Sequence, residues 1–275
     1  MPVSGALEKY RVKPGAGIKL EAFDTRDKSL FEDGNKAEYL PYFDQLQDEL
    51  QQLQKKFYAQ NKHRLLVVMQ AMDTGGKDGC IKHVFSRIDP QGIHVRSFKA
   101  PSEQELARDF LWRVHSRVPR NGEMVIFNRS HYEDVIAVRV KNIFPEQVWR
   151  RRMKHIVDFE TMLAEEGTTI VKIFLNISKD EQKARLQARL DNAHKHWKFN
   201  PEDLKDRARW NDFMTAYEQL IGETSSESAP WYVVPADRKW YRNLVVARIV
   251  LDTIKKLDLE FPPIDWDPAA MVIDD

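Results

Sequence analysis

The chain carries one cysteine, Cys80, in 275 residues. A single thiol excludes an internal disulfide framework and a cysteine-built metal site, and its position just after Lys77 points to helix packing. No stretch approaches about 18 consecutive apolar residues, the length that crosses a membrane, and the N-terminus MPVSGALEKYRVKPG lacks an apolar signal region. A soluble, cytoplasmic protein is the expectation. An excess of one charge is also missing, since 43 Lys and Arg stand against 42 Asp and Glu. That balance gives no argument for a nucleic-acid or membrane partner, and neither is expected; an anion site must be a local cluster. No unit of about 20 to 50 residues repeats, so solenoids and propellers are excluded. What is present, 42% hydrophobic residues over this length, suffices for one large α/β domain with a full core.

The most informative stretch is LLVVMQAMDTGGKDGCIKH, residues 65–83. Leu65 to Met69 is a continuous apolar run, as in a strand buried on both faces. AMDTGGK follows, and then Cys80, Ile81, Val84 and Phe85 at helical spacing. Strand, glycine-rich turn, lysine and helix together make a phosphate-binding P-loop. Gly75 and Gly76 allow positive φ, so successive N–H groups can face one anion. The helix N-terminus and Lys77 add positive charge, and the cradle extends through Asp78 and Gly79. The match to G-x-x-x-x-G-K-[ST] is imperfect: Ala71 stands for the first Gly and Asp78 for the hydroxyl residue. A metal ligand normally supplied by that hydroxyl must come from elsewhere, and Asp73 is the nearest candidate. The competing reading is an ordinary strand–turn–helix connection.

Residues 1–37 lack clear periodicity and read as an extended N-terminal arm draped on a domain spanning 38–275. Glu38 to Gln60 shows an apolar stripe at helical spacing. Ile93 to Phe98 reads as a second strand, and residues 102–117 as a helix opened by a Ser102/Glu105 capping box. Met124 to Asn128 is a third strand, followed by Arg129, Glu133 and Asp134 where open α/β sheets bind ligands. P-loop kinases usually close this strand with an acidic, magnesium-holding residue; here it is Asn128. Residues 146–165 read as an amphipathic helix with a solvated charged face. Thr169 to Leu175 is a fourth strand, and Ser178 opens a helix with Glu181 completing a capping box. Arg185 and Arg189 share one face of that helix. The polar, basic stretch 191–210, with Lys195, Trp197 and Lys198, has the composition of a phosphate-covering lid. GETSSES from Gly222 reads as a flexible surface loop, Trp231 to Val234 as a fifth strand, and a last helix starts near Arg238. The fold class is a three-layer α/β sandwich on a mostly parallel five-stranded sheet.

MQAMDTGGKDGCIKHVF, SFKAPSEQELARDFLWRVH, FNRSHYEDV, HWKFNPEDLKDRARW and WYVVPADRKWYRN, taken in order, resemble the polyphosphate kinase 2 family, and more narrowly its class III branch. The resemblance runs over nearly the whole chain. It implies a thymidylate-kinase-like P-loop fold with a helical lid at about 185–210. It also implies transfer of the terminal phosphoryl group of inorganic polyphosphate to AMP and ADP, giving ADP and ATP, in either direction. On this basis Asp73 and Glu133 would bind magnesium, which manganese could replace. Lys77 would hold the transferring phosphates, Arg129 would clamp them, and Arg185, Arg189, Lys195 and Lys198 would grip the chain from the lid. Asn128, where other branches carry Asp, puts the usual second carboxylate in doubt and bears on acceptor choice. A homo-oligomer, dimer or tetramer, is the expected assembly.

The chemistry agrees with that layout. Phosphoryl transfer needs charge neutralised and two oxygens held in line. The acceptor phosphate is already deprotonated, so no general base is required, and His131, His194 and His196 read as structural or phosphate-contacting. Rival readings are a nucleoside monophosphate kinase with ATP as donor, a P-loop switch, and a polyphosphate-binding module without catalysis. The switch lacks an N-K-x-D guanine signature, and the binding module leaves Asp73 and Lys77 unexplained.

Overall fold

The run LLVVM has no polar face for water, so it can sit only where both sides are covered. In the computed structural model, which describes residues 4–31 and 36–273, it forms the buried centre of β1 (Arg64–Gln70). The other strands are β2 (Ile93–Ser97), β3 (Met124–Asn128), β4 (Thr168–Asn176) and β5 (Trp231–Pro235), in the order β2-β3-β1-β4-β5 with every pairing parallel. Parallel strands need crossovers, and these supply the helices. They are α1 (Lys36–Gln60), α2 (Lys77–Val84), α3 (Glu103–Leu106), α4 (Trp112–His115), α5 (Glu133–Val140), α6 (Glu146–Glu165), α7 (Lys179–Leu190), α8 (Glu202–Ala208), α9 (Trp210–Thr224) and α10 (Lys239–Ile254). One layer groups α1, α2 and α10, the other α5, α6 and α9. No helix among the described residues is long and apolar enough to cross a membrane.

The chain leaves β1 toward β3 and β2 on one side and reaches β4 and β5 on the other, so a crevice opens beyond the strand ends beside β1. Register decides what meets there. Met69 pairs with Asn128, and Asn128 with Ser97, so the loops after β1, β3 and β2 emerge in one row.

Three local expectations differ from the structure. Residues 102–117 form two short helices rather than one: the Ser102/Glu105 capping box is made, but Asp109 accepts from Leu111 N at 3.0 Å and starts a new turn. Ser178 caps α7, while the Glu181 side chain goes to Arg185 Nε (2.7 Å) instead of back to the cap. The stretch from Gly222 is pinned, not loose. There α9 continues to Thr224, Trp231 Nε1 donates to Thr224 Oγ1 (2.9 Å), and Ser225 Oγ donates to Val12 O (2.7 Å). Gly222 permits this approach, since a Cβ there would lie 2.5 Å from Ala16 O.

Within the described part of the arm, Leu7, Tyr10, Val12 and Leu20 are buried. Val12 N donates to Trp231 O (2.9 Å) and Arg11 bridges Tyr232 antiparallel, so the arm covers the open edge of β5. Residues 1–3 and 32–35 of the expected arm lie outside the described residues.

Candidate active site

The P-loop takes its shape from close packing. A Cβ on Gly75 would sit 2.5 Å from the Ala71 Cβ and 2.8 Å from Met72 O, and Gly76 caps α2 at φ 96°. A side chain at Gly76 would also strike the Arg242 guanidinium, at 2.2 Å. Arg242 is a buried cation beneath the loop, braced by Asn243 Oδ1 (2.7 Å). Arg185 braces the outer side, with Nη1 donating to Gly75 O (2.9 Å) and Nη2 to Ala236 O (2.6 Å). Lys77 is buried and reaches back to Ala71 O (2.9 Å). Burial, and then the charge of Arg129, hold its ammonium below the ordinary lysine range, against Asp73, Glu133 and Asp78.

The loop after β3 is held just as firmly. Arg129 is a non-glycine residue at φ 62°, a conformation that persists only when its surroundings impose it. Its N–H donates to Met69 O (3.1 Å), Ser130 and His131 are fully buried, and Tyr132 enters a polar network behind the sheet. There Lys172 Nζ donates to Glu160 Oε2 (2.5 Å), Tyr132 Oη (3.0 Å) and Thr224 O (2.6 Å). Tyr132 Oη donates to Glu160 Oε1 (2.9 Å), which His131 Nε2 also meets at 3.2 Å. Burial alone would raise the Glu160 carboxyl, but Lys172 and His131 hold it below its usual range. Removing either charge of such a pair strands the other, at a cost of about 3–5 kcal/mol.

Between the two loops, the Arg129 guanidinium pairs with the Asp73 carboxylate. Glu133, half-buried at the start of α5, borders the same pair. Gln70 satisfies both ends of its amide when the nitrogen donates to Glu133 Oε1 (3.0 Å) and the oxygen accepts from Ser130 N (3.3 Å). Burial raises the Glu133 carboxyl above its usual range, with Arg129 and Lys77 pulling the other way. Burial would lower the Arg129 guanidinium, yet Glu133 and Asp73 outweigh it and raise it. Asn128 Nδ2 donates to Asp78 Oδ1 (2.5 Å), so two of the three departures from the usual P-loop kinase pattern meet each other.

A cleft of about 530 Å³ brings together most of the expected residues: Asp73, Gly75, Gly76, Lys77, Asp78, Gly79, Asn128, Arg129, Arg189 and Lys198. Arg185 does not line it, because its donors are spent on the backbone carbonyls of Gly75 and Ala236. Lys195, exposed on the 3-10 turn 193–198, does not line it either. The sequence reading missed Lys99, Asn200 and Asp203, which do line it, and Arg242 beneath it. All four lie inside the motifs that carry the family resemblance, but nothing in their spacing sets them apart from solvated neighbours. Beyond Arg129 a second cavity of about 400 Å³ opens, walled by apolar groups including Phe98, Phe110, Ile143 and Phe144, with Glu133 at its inner end.

Among the described residues no group of three or more His, Cys, Asp or Glu is placed to hold a metal by itself. Asp73 and Glu133 suit a hard cation such as magnesium, which commonly takes one or two carboxylates together with phosphate oxygens.

Asp203, on α8, faces Arg189 at 3.3 Å. Burial, then the charge of Asp73, push its carboxyl from 3.8 up to about 6, against Arg189 and Arg129. A folded-state value above the unfolded one means the native protein holds the extra proton between those limits, so stability falls as pH rises from about 4 to about 6. Urea unfolding of wild type and Asp203→Asn across that window should show the wild type losing stability relative to the variant as pH rises. A constant difference would contradict the assignment.

Similar proteins match this chain over most of its length. The family description "Polyphosphate kinase 2" matches residues 33–262. The AMP/ADP-polyphosphate phosphotransferase of Meiothermus ruber is 54% identical over 268 residues, covering 98% of this chain and 100% of that protein. The ADP-polyphosphate phosphotransferase of Rhodopseudomonas palustris is 41% identical over 267 residues, covering 93% and 92%. The crystal structure of polyphosphate kinase 2 from Arthrobacter aurescens TC1 superposes with a TM-score of 0.91 at 44% identity, covering 96% of this chain and 93% of that one. Matched in sequence and in fold over nearly its whole length, this chain is an enzyme of the polyphosphate kinase 2 family.

Proposed function

We propose that the protein transfers the terminal phosphoryl group of inorganic polyphosphate to AMP and to ADP, reversibly and with magnesium (or manganese). The observation that carries this reading is the meeting of two unlike cavities at Arg129. One is lined by the P-loop and lid cations and suits a chain of phosphates. The other is largely apolar and suits a nucleoside whose phosphates point at Arg129 and Glu133. The names of the relatives support the same substrates for this chain.

In the forward direction an oxygen of the acceptor's terminal phosphate bonds to the terminal phosphorus of polyphosphate. The bond to the next phosphate breaks, its electrons stay on the leaving chain, and the chain is one phosphate shorter. Lys77 and the P-loop N–H groups hold the transferring group and stabilise its charge, and Arg129 spans donor and acceptor. Arg189 and Lys198 hold the donor from the lid. A cation at Asp73 and Glu133, bound with the phosphates, would add charge neutralisation there. We assign these events to one kinase domain, 38–275, with its lid at about 185–210 and the arm 1–37, acting in the cytoplasm as a homo-oligomer.

Incubation with polyphosphate and magnesium should convert AMP to ADP and ADP to ATP with no other donor. Lys77→Ala should lower turnover by roughly 10²-fold or more while leaving the fold intact. A requirement for ATP as donor would replace this reading with a nucleoside monophosphate kinase.

Asn128 is proposed as part of acceptor choice. A neutral amide can donate or accept, whereas a carboxylate only accepts and repels a nearby phosphate. Its bond to Asp78 sharpens the test, because Asn128→Asp would place two carboxylates in contact. The variant should lose kcat/KM for AMP more than for ADP, and adding Asp78→Asn should restore part of the loss. An unchanged AMP/ADP ratio would remove Asn128 from acceptor choice.

A further inference from the structure

A smaller pocket of about 180 Å³ adjoins the cleft at the edge strand β2 and collects four cations, Arg96, Lys99, Arg113 and Arg117, around one carboxylate, Glu105. Arg113 is committed: its Nη1 donates to Lys99 O (2.8 Å), its Nη2 to Asp134 Oδ2 (3.0 Å), and Glu105 lies 3.7 Å away. The other three make no ion pair and no side-chain hydrogen bond among the described residues, and Arg96 Nε is buried with no partner at all. Arg87, by contrast, has both Asp44 and Asp48 as partners. Glu105 offsets part of this charge, acting on Arg113 and Arg117; the remaining like charges repel, and an anion carrying several charges along its length relieves them.

Position ties the anion to the substrates, since Phe98, Lys99 and Ala100 also line the apolar cavity. Ser97, Phe98, Lys99 and Ala100 line both this pocket and the P-loop cleft, so the two are continuous, with Lys99 at their common wall. Three residues of chain separate Arg96 from Lys99 by at most about 10 Å, so the two cations can meet phosphates a few units apart on one chain.

We propose that Arg96, Lys99 and Arg117 form a distal subsite for phosphate groups of the polyphosphate donor, on the β2 side of the cleft and away from the lid. This rests on the reading of polyphosphate as donor. The phosphates of a nucleotide acceptor are the other source of the same chemistry, and the test separates the two.

The experiment compares wild type with Arg96→Gln/Arg117→Gln and with the charge-keeping Arg96→Lys/Arg117→Lys. It measures equilibrium binding of long-chain polyphosphate, tripolyphosphate and ADP at several salt concentrations. The Gln pair should weaken long-chain binding several-fold and reduce the salt slope of log K by about two, with a smaller effect on tripolyphosphate. ADP affinity should hold, and the Lys pair should recover most of the long-chain affinity. Equal losses for both chain lengths, or a loss confined to ADP, would overturn the subsite. Wild type that fails to bind polyphosphate at all would overturn the donor reading itself. Wild type that binds it, with variants that match, would overturn only this inference.

Discussion

The pairing of Arg129 with Asp73 is the contact on which the rest of the cleft depends. The two side chains come from loops that leave adjacent parallel strands, and the Met69–Asn128 register brings those loops level. Slipping β3 by one residue would swap the side chains between its two covered faces and carry Arg129 away from Asp73. The left-handed backbone at Arg129 and the fully buried polar network behind Tyr132 both act to hold that one guanidinium in place. The sheet therefore positions chemistry through register, and the core behind it fixes orientation.

Charge within the cleft is poised rather than balanced. Lys77 is disfavoured as a cation by burial and by Arg129, and Glu133 is disfavoured as an anion by burial. Both shifts are of the kind a phosphate and a cation would reverse together, since each supplies the partner that one of these groups wants. Arg129 meanwhile leans on the same carboxylate that the proposed cation would use. Entry of substrate then becomes an exchange of partners among groups already in position, which lowers the reorganisation needed at transfer.

Much of this was legible beforehand because it follows from short-range rules. A strand buried on both faces reads as LLVVM, a cradle needs Gly75 and Gly76, and Ser102 with Glu105 announces a cap. Features set by long-range contact were not legible. Arg185 and Lys198 look alike as lid cations, yet only Lys198 faces the cleft, because Arg185 donates to the carbonyls of Gly75 and Ala236. Arg242 belongs to a C-terminal helix and gives no local sign that Gly76 must make room for it. The GETSSES stretch has loop composition but is tied down by Val12, more than 200 positions earlier. Asp203 gains its perturbed carboxyl from burial and then from Asp73, both set by chain far away in sequence.

The central claim, that Asp73 and substrate phosphate compete for Arg129, can be measured directly by calorimetric binding of tripolyphosphate with divalent cations chelated. Asp73→Asn should bind it more tightly than wild type, by about fivefold for a contact worth about 1 kcal/mol. That gain should shrink when Arg129 is already Gln, because the freed guanidinium is what produces it. Weaker binding by Asp73→Asn, or the same gain in both backgrounds, would contradict the account.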